Sequence, residues 1–281
     1  MDIRRRGFMG DASSASSGPK INIDDYVTFE ALENGFTFSL SRNSCEYCID
    51  GDDNWITLSS GTTSNSINSG QTISIRGNCT ITSSTGTTGG IGTFTLGKKC
   101  NVKGNSMALL FGDDGKDNYS LNGKSYAFNR LFYNATNLQS VSENFLPATT
   151  LSTYCYYNMF YGCTNLTSAP SLPATTLQQY CYQYMFSRCS SLTTAPVLPA
   201  TTLQRYCYHY MFQNCTSLNY IKAMFTTDPG SSNSTNQARY TYNWVSSVAS
   251  SGTFVKNSSA TWNRTGAHAV PSGWTTQTAS S

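Results

Sequence analysis

Cysteines spaced eight residues apart and set among tyrosines are the residues of this sequence that most suggest chemistry. Residues 180–189 read YCYQYMFSRC, and residues 206–215 read YCYHYMFQNC. Thiolates bind metals, paired thiols form disulfides, and tyrosine combines an apolar ring with a polar hydroxyl. The pattern therefore allows a metal site, a disulfide ladder, an aromatic binding surface or the interior of a repeat.

A metal site is the least favoured of these alternatives. Zinc needs about four clustered cysteine or histidine ligands, whereas the chain has only His209 and His268, and only His209 lies near the cysteines. The start MDIRRRGFMGDASSASSG has no apolar stretch after its arginines, so we expect no signal-peptide export and a reducing compartment. A disulfide between neighbouring repeats stays open, but buried thiols that pack as small apolar groups are favoured. We predict no metal and no cofactor.

Two further kinds of motif have ligand-like spacing. CEYC (45–48) resembles redox and zinc motifs, but it falls in a predicted strand and has no second such pair. DGDD (50–53) and GDDGKDN (112–118) offer carboxylates to Ca²⁺, but neither follows the twelve-residue EF-hand loop. We therefore expect ordinary strand residues in the first motif and turn chemistry in the other two.

The composition argues against several classes of function. Charged residues make up 12% of the chain and the net charge is +3, which predicts no nucleic-acid partner. No run of eighteen apolar residues occurs, so membrane insertion is not expected. No aspartate or glutamate lies between residues 146 and 221, so paired carboxylates for hydrolysis are missing there. We predict a protein that is not an enzyme.

The first part of the chain predicts a leader and a β-domain. Residues 1–23 have the Ser/Gly/Ala composition of a flexible linker after three arginines. From 24 to 120, short segments alternate apolar and polar residues between turn signals, which indicates an antiparallel β-sandwich. The predicted strands are YVTFEA (26–31), FTFSLS (36–41), QTISIR (71–76) and GTFTL (92–96).

The second part repeats with a period of 26 residues. LPATTL begins at Leu146, Leu172 and Leu198, and a degenerate copy lies at 127–138. Repeats of this length predict a short solenoid over 121–225. Residues 226–281 leave the repeat and predict an α/β C-terminal cap. The cap would hold an amphipathic helix over 236–248 and closing strands at 252–256 and around Trp274.

At these residues the sequence resembles the BspA-like leucine-rich-repeat surface proteins. MFSRCSSL (185–192) matches their block of alanine, phenylalanine, cysteine and leucine, with Met185 in place of the alanine, and Pro173 fits their proline. The resemblance covers about residues 125–225. More loosely, the whole layout resembles proteins of gut Bacteroidales and their phages. It implies attachment or display rather than catalysis. Together with the alternating segments and the 26-residue period, it predicts a mainly β fold in which the sandwich is followed by a leucine-rich-repeat solenoid and its cap.

Repeat positions separate a predicted interior from a predicted face. Positions identical in all copies, among them Cys163, Cys189 and Cys215, are expected inside, and variable positions outside. Beside the variable positions lie columns of tyrosines that suit recognition of neutral sugars or protein. The predicted ligand-binding residues are Tyr156, Tyr182, Tyr184, Tyr208, Tyr210 and His209. The alternative is that these tyrosines only pack between repeats.

The function predicted from these features is attachment. The protein is expected on the surface of a phage virion, where it binds a host or mucosal glycan, or a protein receptor. Arg4, Arg5 and Arg6 would anchor it to other virion proteins. The alternative is a bacterial cell-surface adhesin of the same repeat family, and an intracellular scaffold fits the low charge less well. The sequence leaves formation of a homo-oligomer open.

Overall fold

The computed structural model describes residues 20–86, 88–229 and 239–279. The fold is mainly β. Its strands are β1 Val27–Ala31, β2 Phe38–Leu40, β3 Cys45–Ile49, β4 Ile56–Leu58, β5 Thr72–Arg76, β6 Phe94–Leu96, β7 Cys100–Gly104, β8 Leu138–Val141, β9 Tyr220–Ala223, β10 Thr253–Lys256 and β11 Thr275–Thr278. Within these ranges a short helix, α1 (Ala108–Phe111), accompanies the strands, with 3₁₀ turns at Ile23–Asp25, Gly112–Asp117 and Glu143–Phe145. In these ranges no helix has the length and apolar content needed to cross a membrane.

A six-stranded sheet organises the first part of the chain. Its strand order is β4-β3-β5-β1-β7-β8, and every pair is antiparallel except β7 with β8, which is parallel. In β1, Val27, Phe29 and Ala31 are buried on one face, as the alternating pattern requires. The four strands predicted from alternation are confirmed as β1, β2, β5 and β6.

A cluster of phenylalanines joins this sheet to the rest of the molecule. β2 and β6 form a separate antiparallel pair, and the ring of Phe94 lies 5.2 Å from that of Phe29 on β1. Phe132, which belongs to the repeats, lies 5.4 Å from Phe94. One continuous buried cluster includes all three residues. The core and the six-stranded sheet therefore both cross the domain boundary predicted at residues 120 and 121.

The copies of the repeat lie side by side, and each contributes a ten-residue segment that we call a rung. Rungs 1 to 5 are residues 126–135, 154–163, 180–189, 206–215 and 239–248. Alternate residues of a rung donate their backbone N–H to the carbonyl three residues back, as Tyr157 does to Tyr154 (3.2 Å). The residues between them donate to the next rung, as Tyr156 does to Cys181 (3.0 Å). The backbone of each rung is thus satisfied by its own turns and by its neighbour.

Every fourth residue of a rung has a left-handed backbone. In rung 2 these residues are Tyr154 (φ 59°), Asn158 (φ 55°) and Gly162 (φ 74°). Each is the third residue of a turn closed by an N–H···O=C bond over three residues, the position at which a type II turn requires positive φ. A rung is therefore a series of turns, in which pairs of residues face alternately inward and outward.

The fifth rung corrects the prediction of a helix at 236–248. Residues 239–247 form turns with positive φ at Arg239, Asn243 and Ser247. Rung 4 donates to this segment through Tyr208 and Phe212, whose N–H groups bond the carbonyls of Tyr240 (2.9 Å) and Trp244 (2.8 Å). The helix prediction was wrong because apolar residues spaced four apart suit a helix and a four-residue turn repeat equally well.

Short parallel strands line the other side of the repeats. β9, β10 and β11 form a parallel sheet, which confirms the strands predicted at 252–256 and next to Trp274. In the copies before β9, only isolated bridges form at Ser168 and Thr194. Pro170 and Pro196 follow two residues later. Proline has no N–H to donate to a ladder, so these two copies have bridges where the neighbouring copies have strands.

Candidate functional site

The repeat cysteines lie in the interior, as predicted. All ten cysteines are free and buried. The thiols of Cys163, Cys189 and Cys215 donate to the carbonyl of a phenylalanine in the preceding rung at 3.0, 3.1 and 3.0 Å. Burial raises the pKa of Cys163 and of Cys215 to about 12, so these thiols stay protonated and act as donors at neutral pH. They hold rungs together rather than offering a nucleophile.

Three of the tyrosines predicted to bind a ligand are buried, and that assignment was wrong. Tyr156, Tyr182 and Tyr208 are 1%, 1% and 0% exposed. Their rings stack on one another inside the rungs, with centroids 5.7 and 6.0 Å apart. The two-in, two-out order of the turns places the residues after Cys155, Cys181 and Cys207 inside as well. These tyrosines are identical in all three copies, and identity between copies indicates the interior. The prediction applied this rule to the cysteines but not to the tyrosines.

The outward face carries a different column of tyrosines, which we call the tyrosine ladder. Tyr126, Tyr154, Tyr180 and Tyr206 stack in order across rungs 1 to 4. Their ring centroids are 4.7, 4.3 and 4.7 Å apart, and adjacent rings lie within 14° of parallel. All four are partly exposed. The sequence aligned three of them, but their place on the face was not predicted.

Tyr184 and Tyr210, which were predicted on the face, lie there. Both are partly exposed, and their rings stack at 4.7 Å. Tyr184 also meets the edges of Tyr157 (6.1 Å) and Tyr161 (6.4 Å) in rung 2. Because stacked rings cover one another's faces, this surface presents ring edges and hydroxyls to solvent.

His209 lies beneath this surface. Its side chain is buried, and its Nδ1 lies 2.6 Å from Nε2 of Gln183, the residue that occupies the same position in rung 3. Burial is the main cause that lowers the pKa of His209 to about 4, and the charges of Arg239 and His268 add to it. At neutral pH the imidazole is therefore neutral and accepts a hydrogen bond from Gln183. It supports the face rather than contacting a ligand directly.

Four arginines lie against tyrosine rings of the same face, and the sequence did not point to them. Their guanidinium carbons lie 3.4 to 5.5 Å from the ring centroids, within the range of cation–π contacts. The pairs are Arg130 with Tyr133 (3.4 Å), Arg188 with Tyr161 (5.5 Å), Arg205 with Tyr206 (5.0 Å) and Arg239 with Tyr242 (5.4 Å). The face is thus aromatic and cationic.

Acidic side chains are scarce throughout this half of the chain. Residues 118–281 contain eight lysines and arginines but only two acidic residues, Glu143 and Asp228. Asp228 accepts a hydrogen bond from Arg264 at 2.9 Å, and Glu143 lines a cleft outside the rungs. Neither belongs to a rung, so the five rungs carry no carboxylate.

A large cleft lies where the first sheet meets the repeats. It has a volume of about 750 Å³, and its walls include Asp24, Asp25, Lys103 and Glu143. A second hollow of about 580 Å³ adjoins it through Glu143 and Pro173, and four of its eleven lining residues are prolines. The first cleft carries both acidic and basic side chains, and the second carries one charged side chain, Glu143.

The other motifs with ligand-like spacing have structural roles. Cys45 and Cys48 of CEYC are buried in β3, and burial raises the pKa of their thiols to about 12 and 11. In DGDD, Asp50 accepts from the backbone of Thr72 (2.8 Å) and Asp53 from the indole of Trp55 (2.8 Å). Within the described ranges, no group of three or more His, Cys, Asp or Glu is placed to hold a metal ion.

The remaining predicted site is the arginine anchor. Arg4, Arg5 and Arg6 lie outside the described residues, so the anchor stays a prediction. Comparison of the chain with known protein families, with curated proteins and with solved structures gives no match. The function therefore has to be argued from the face itself.

Proposed function

We propose that this protein is a non-enzymatic attachment protein of a phage virion that uses the outward face of its rungs to bind a glycan. The observation that carries the proposal is the uninterrupted column of stacked, partly exposed tyrosines across four rungs. A buried column would serve packing alone. The four rings are partly exposed and lie outside the hydrophobic core, so their regular repetition favours recognition of an extended ligand.

The proposed architecture is a β-sandwich followed by a solenoid of the BspA-like kind. In-register hydrogen bonds between successive rungs support the solenoid, since each unit is completed only by its neighbour. The phenylalanine contacts between β1 and the β2–β6 pair support two packed layers. A solenoid of this type displays a rigid surface whose spacing is set by the rungs.

The chemistry of the face suits sugars. The tyrosines present edges and hydroxyls because their neighbours cover their ring faces, and the hydroxyls both donate and accept hydrogen bonds. Gln213 and Asn214 add partly exposed polar side chains on the same face. A single contact of this type is weak, so attachment would depend on many copies displayed together on one particle.

A glycan array tests the proposal directly. The full chain is applied as a monomer and as a multivalent display, together with Tyr180→Ala from the tyrosine ladder, Tyr184→Ala from the neighbouring column and the double variant. Tyr119→Ala is the matched control, because Tyr119 is 52% exposed and lies outside the rungs. We expect multivalent binding that the face variants lose and Tyr119→Ala keeps. Binding that survives the double variant would place the site elsewhere, and no multivalent binding would favour rings that only pack.

The proposed location and anchor need a separate experiment. The three arginines of the leader suit bidentate contacts with carboxylates of a partner protein, so we propose that the leader docks the protein to other virion proteins. Removing residues 1–19 should leave the thermal unfolding midpoint unchanged and abolish incorporation into particles. The second candidate, a bacterial cell-surface adhesin, rests on the same resemblance. Mass spectrometry of purified virions separates the two.

A further inference from the structure

We infer that the outward face of the rungs recognises an acidic polysaccharide, whose carboxylate or sulfate groups are bound by Arg130, Arg188, Arg205 and Arg239. The inference rests on the proposed function, since it takes the face to bind a glycan. It adds the chemical class of that glycan and the residues that select it.

The first argument is that these arginines are positioned but not neutralised. Each guanidinium lies over a tyrosine ring, which restricts the side chain before any ligand arrives. The ion pairs formed within the described residues use Arg76, Lys99 and Arg264, and none of the four face arginines takes part in one. A planar guanidinium held in place offers two parallel N–H donors to a carboxylate or a sulfate.

The second argument comes from the backbone. Arg130, Arg188 and Arg239 have φ angles of 60°, 66° and 36°, in the left-handed region that disfavours long side chains. Two other rungs have Gly162 and Asn214 at the position of Arg188, and Asn158 stands at that of Arg130. Glycine and asparagine adopt this conformation more readily. Large side chains also occur at these positions: Tyr184 and Tyr210 stand at the position of Arg130, and Tyr154, Tyr180 and Tyr206 at that of Arg239, all with positive φ. The left-handed positions of the rungs therefore carry the exposed tyrosines and arginines of the face, and Arg188 stands where two other rungs have glycine or asparagine.

The third argument is the distribution of charge along the rungs. Arg130 belongs to rung 1, Arg188 to rung 3 and Arg239 to rung 5, while Arg205 directly precedes rung 4. The arginines stand at different positions along their rungs, so they are spread obliquely across the face rather than in one column. No rung carries a carboxylate. An elongated polyanion that crosses the face obliquely from rung 1 to rung 5 would meet these guanidinium groups in turn.

The geometry favours a polysaccharide over a single-stranded nucleic acid. Proteins bind single strands by stacking bases on open aromatic faces. Here the faces of the ladder are occupied by the next tyrosine at 4.3 to 4.7 Å. Ring edges and hydroxyls remain, and these suit the hydroxyl groups of sugars rather than the flat surface of a base.

The test uses the immobilised full chain and four soluble probes: dextran sulfate, a polyuronate (alginate), unmodified dextran and oligothymidylate. We expect the two acidic polysaccharides to bind, with an affinity that falls as salt rises, and dextran to bind at least tenfold more weakly. The triple variant Arg188→Gln, Arg205→Gln, Arg239→Gln should lose at least tenfold for both acidic polysaccharides. Its salt dependence should become shallower.

A second triple variant controls for net charge. Lys98→Gln, Lys99→Gln and Lys222→Gln remove the same number of charges from β6–β7 and β9, away from the face, and should leave binding within twofold. An equal loss of affinity in both triple variants would overturn the inference, because the polysaccharide would then be attracted by the net positive charge of the protein rather than by the arginines of the face. Should the arginine variant unfold, Arg205→Gln alone replaces it, since Arg205 is exposed and a severalfold loss is expected.

The remaining outcomes separate the inference from the proposed function. Dextran and dextran sulfate could bind equally well, with Tyr184→Ala weakening both. That result would overturn the assignment of an acidic polysaccharide but keep the glycan-binding face. No binding of any polysaccharide in multivalent display would overturn both. Oligothymidylate bound as tightly as dextran sulfate would overturn the assignment to a sugar.

Discussion

At the scale of single residues, the buried tyrosine hydroxyls make a sharp prediction. The hydroxyls of Tyr156, Tyr182 and Tyr208 are buried without a hydrogen-bond partner, and such a group is destabilising. Rung 1 has Phe128 at this position, and its ring stacks on Tyr156 at 5.8 Å. We therefore expect Tyr182→Phe to raise the free energy of unfolding by about 1 kcal/mol, as measured by chemical denaturation.

The control for this prediction is a tyrosine whose hydroxyl faces water. Tyr184→Phe, one turn away on the face, should change the free energy of unfolding by less than about 0.5 kcal/mol. A loss of stability in Tyr182→Phe would contradict the prediction and would show that the buried hydroxyl is bonded.

His209 makes the stability of the repeats sensitive to acid. The unfolded chain takes up a proton on this histidine near pH 6.5, whereas the folded chain resists protonation until about pH 4. Between these values the unfolded state binds more protons, so stability falls as the pH is lowered from 6.5 towards 4. The groups around the ring are Arg239, His268, Gln183, Tyr184, Tyr206, Tyr210 and Tyr242.

The variant His209→Gln tests this, because Gln183 shows that glutamine fits the same position of the rung. The thermal unfolding midpoints of the wild type and His209→Gln should differ least above pH 6.5. When the pH is lowered to 4, the midpoint of the wild type should fall further than that of the variant. His268→Gln is the companion control, since burial also lowers the pKa of His268. Parallel curves for wild type and His209→Gln would contradict the prediction.

At the scale of elements, the turns of the rungs store backbone strain that can be measured. Arg188 has a φ of 66°, and its equivalent in rung 2 is Gly162 at 74°. Arg188→Gly and Arg188→Ala both remove the guanidinium, but only alanine keeps a Cβ in the left-handed region. We expect the glycine variant to be more stable than the alanine variant by about 1 kcal/mol.

The matched change is Gly162→Ala. A Cβ at Gly162 would clash with the side-chain Oδ1 of Asn134, so both backbone strain and this clash oppose the substitution. We expect it to lower the free energy of unfolding by about 2 kcal/mol or more. Equal stability of the glycine and alanine variants at Arg188 would contradict the account of the rungs as turns that require positive φ.

The rungs also show which elements could be predicted from sequence. The strands β1, β2, β5 and β6 followed from alternation of apolar residues, and the buried cysteines from their repetition. The fifth rung could not be predicted, because the four-residue spacing of Tyr240, Trp244 and Val248 also suits an amphipathic helix. The inward place of Tyr182 depends on turns whose pairs of residues alternate in direction, a pattern that neither strand nor helix periodicity describes. The arginines of the face came from different repeat positions, so no alignment column marked them.

At the scale of the whole molecule, the two parts of the chain share structure. The edge of β7 pairs with β8, which belongs to the repeats. The ring of Phe132 in rung 1 lies 5.4 Å from that of Phe94 and 6.4 Å from that of Phe29. Cutting the chain at residue 120 would expose an edge strand and a cluster of aromatic rings. The glycan experiments are therefore designed with the full chain.

The shared core predicts that the full chain unfolds in one cooperative transition. We expect coincident denaturation curves from tryptophan fluorescence, which reports Trp55 in the first part and Trp244, Trp262 and Trp274 in the last, and from far-UV circular dichroism.

Phe132→Ala should lower the free energy of unfolding by about 3 to 5 kcal/mol and should shift both signals together. Phe212→Ala, with a ring equally buried in rung 4, is the control that lies far from the first sheet. If the fragment ending at residue 120 folds cooperatively alone, or if Phe132→Ala splits the transition into two, the two parts are independent domains and the core that joins them contributes little.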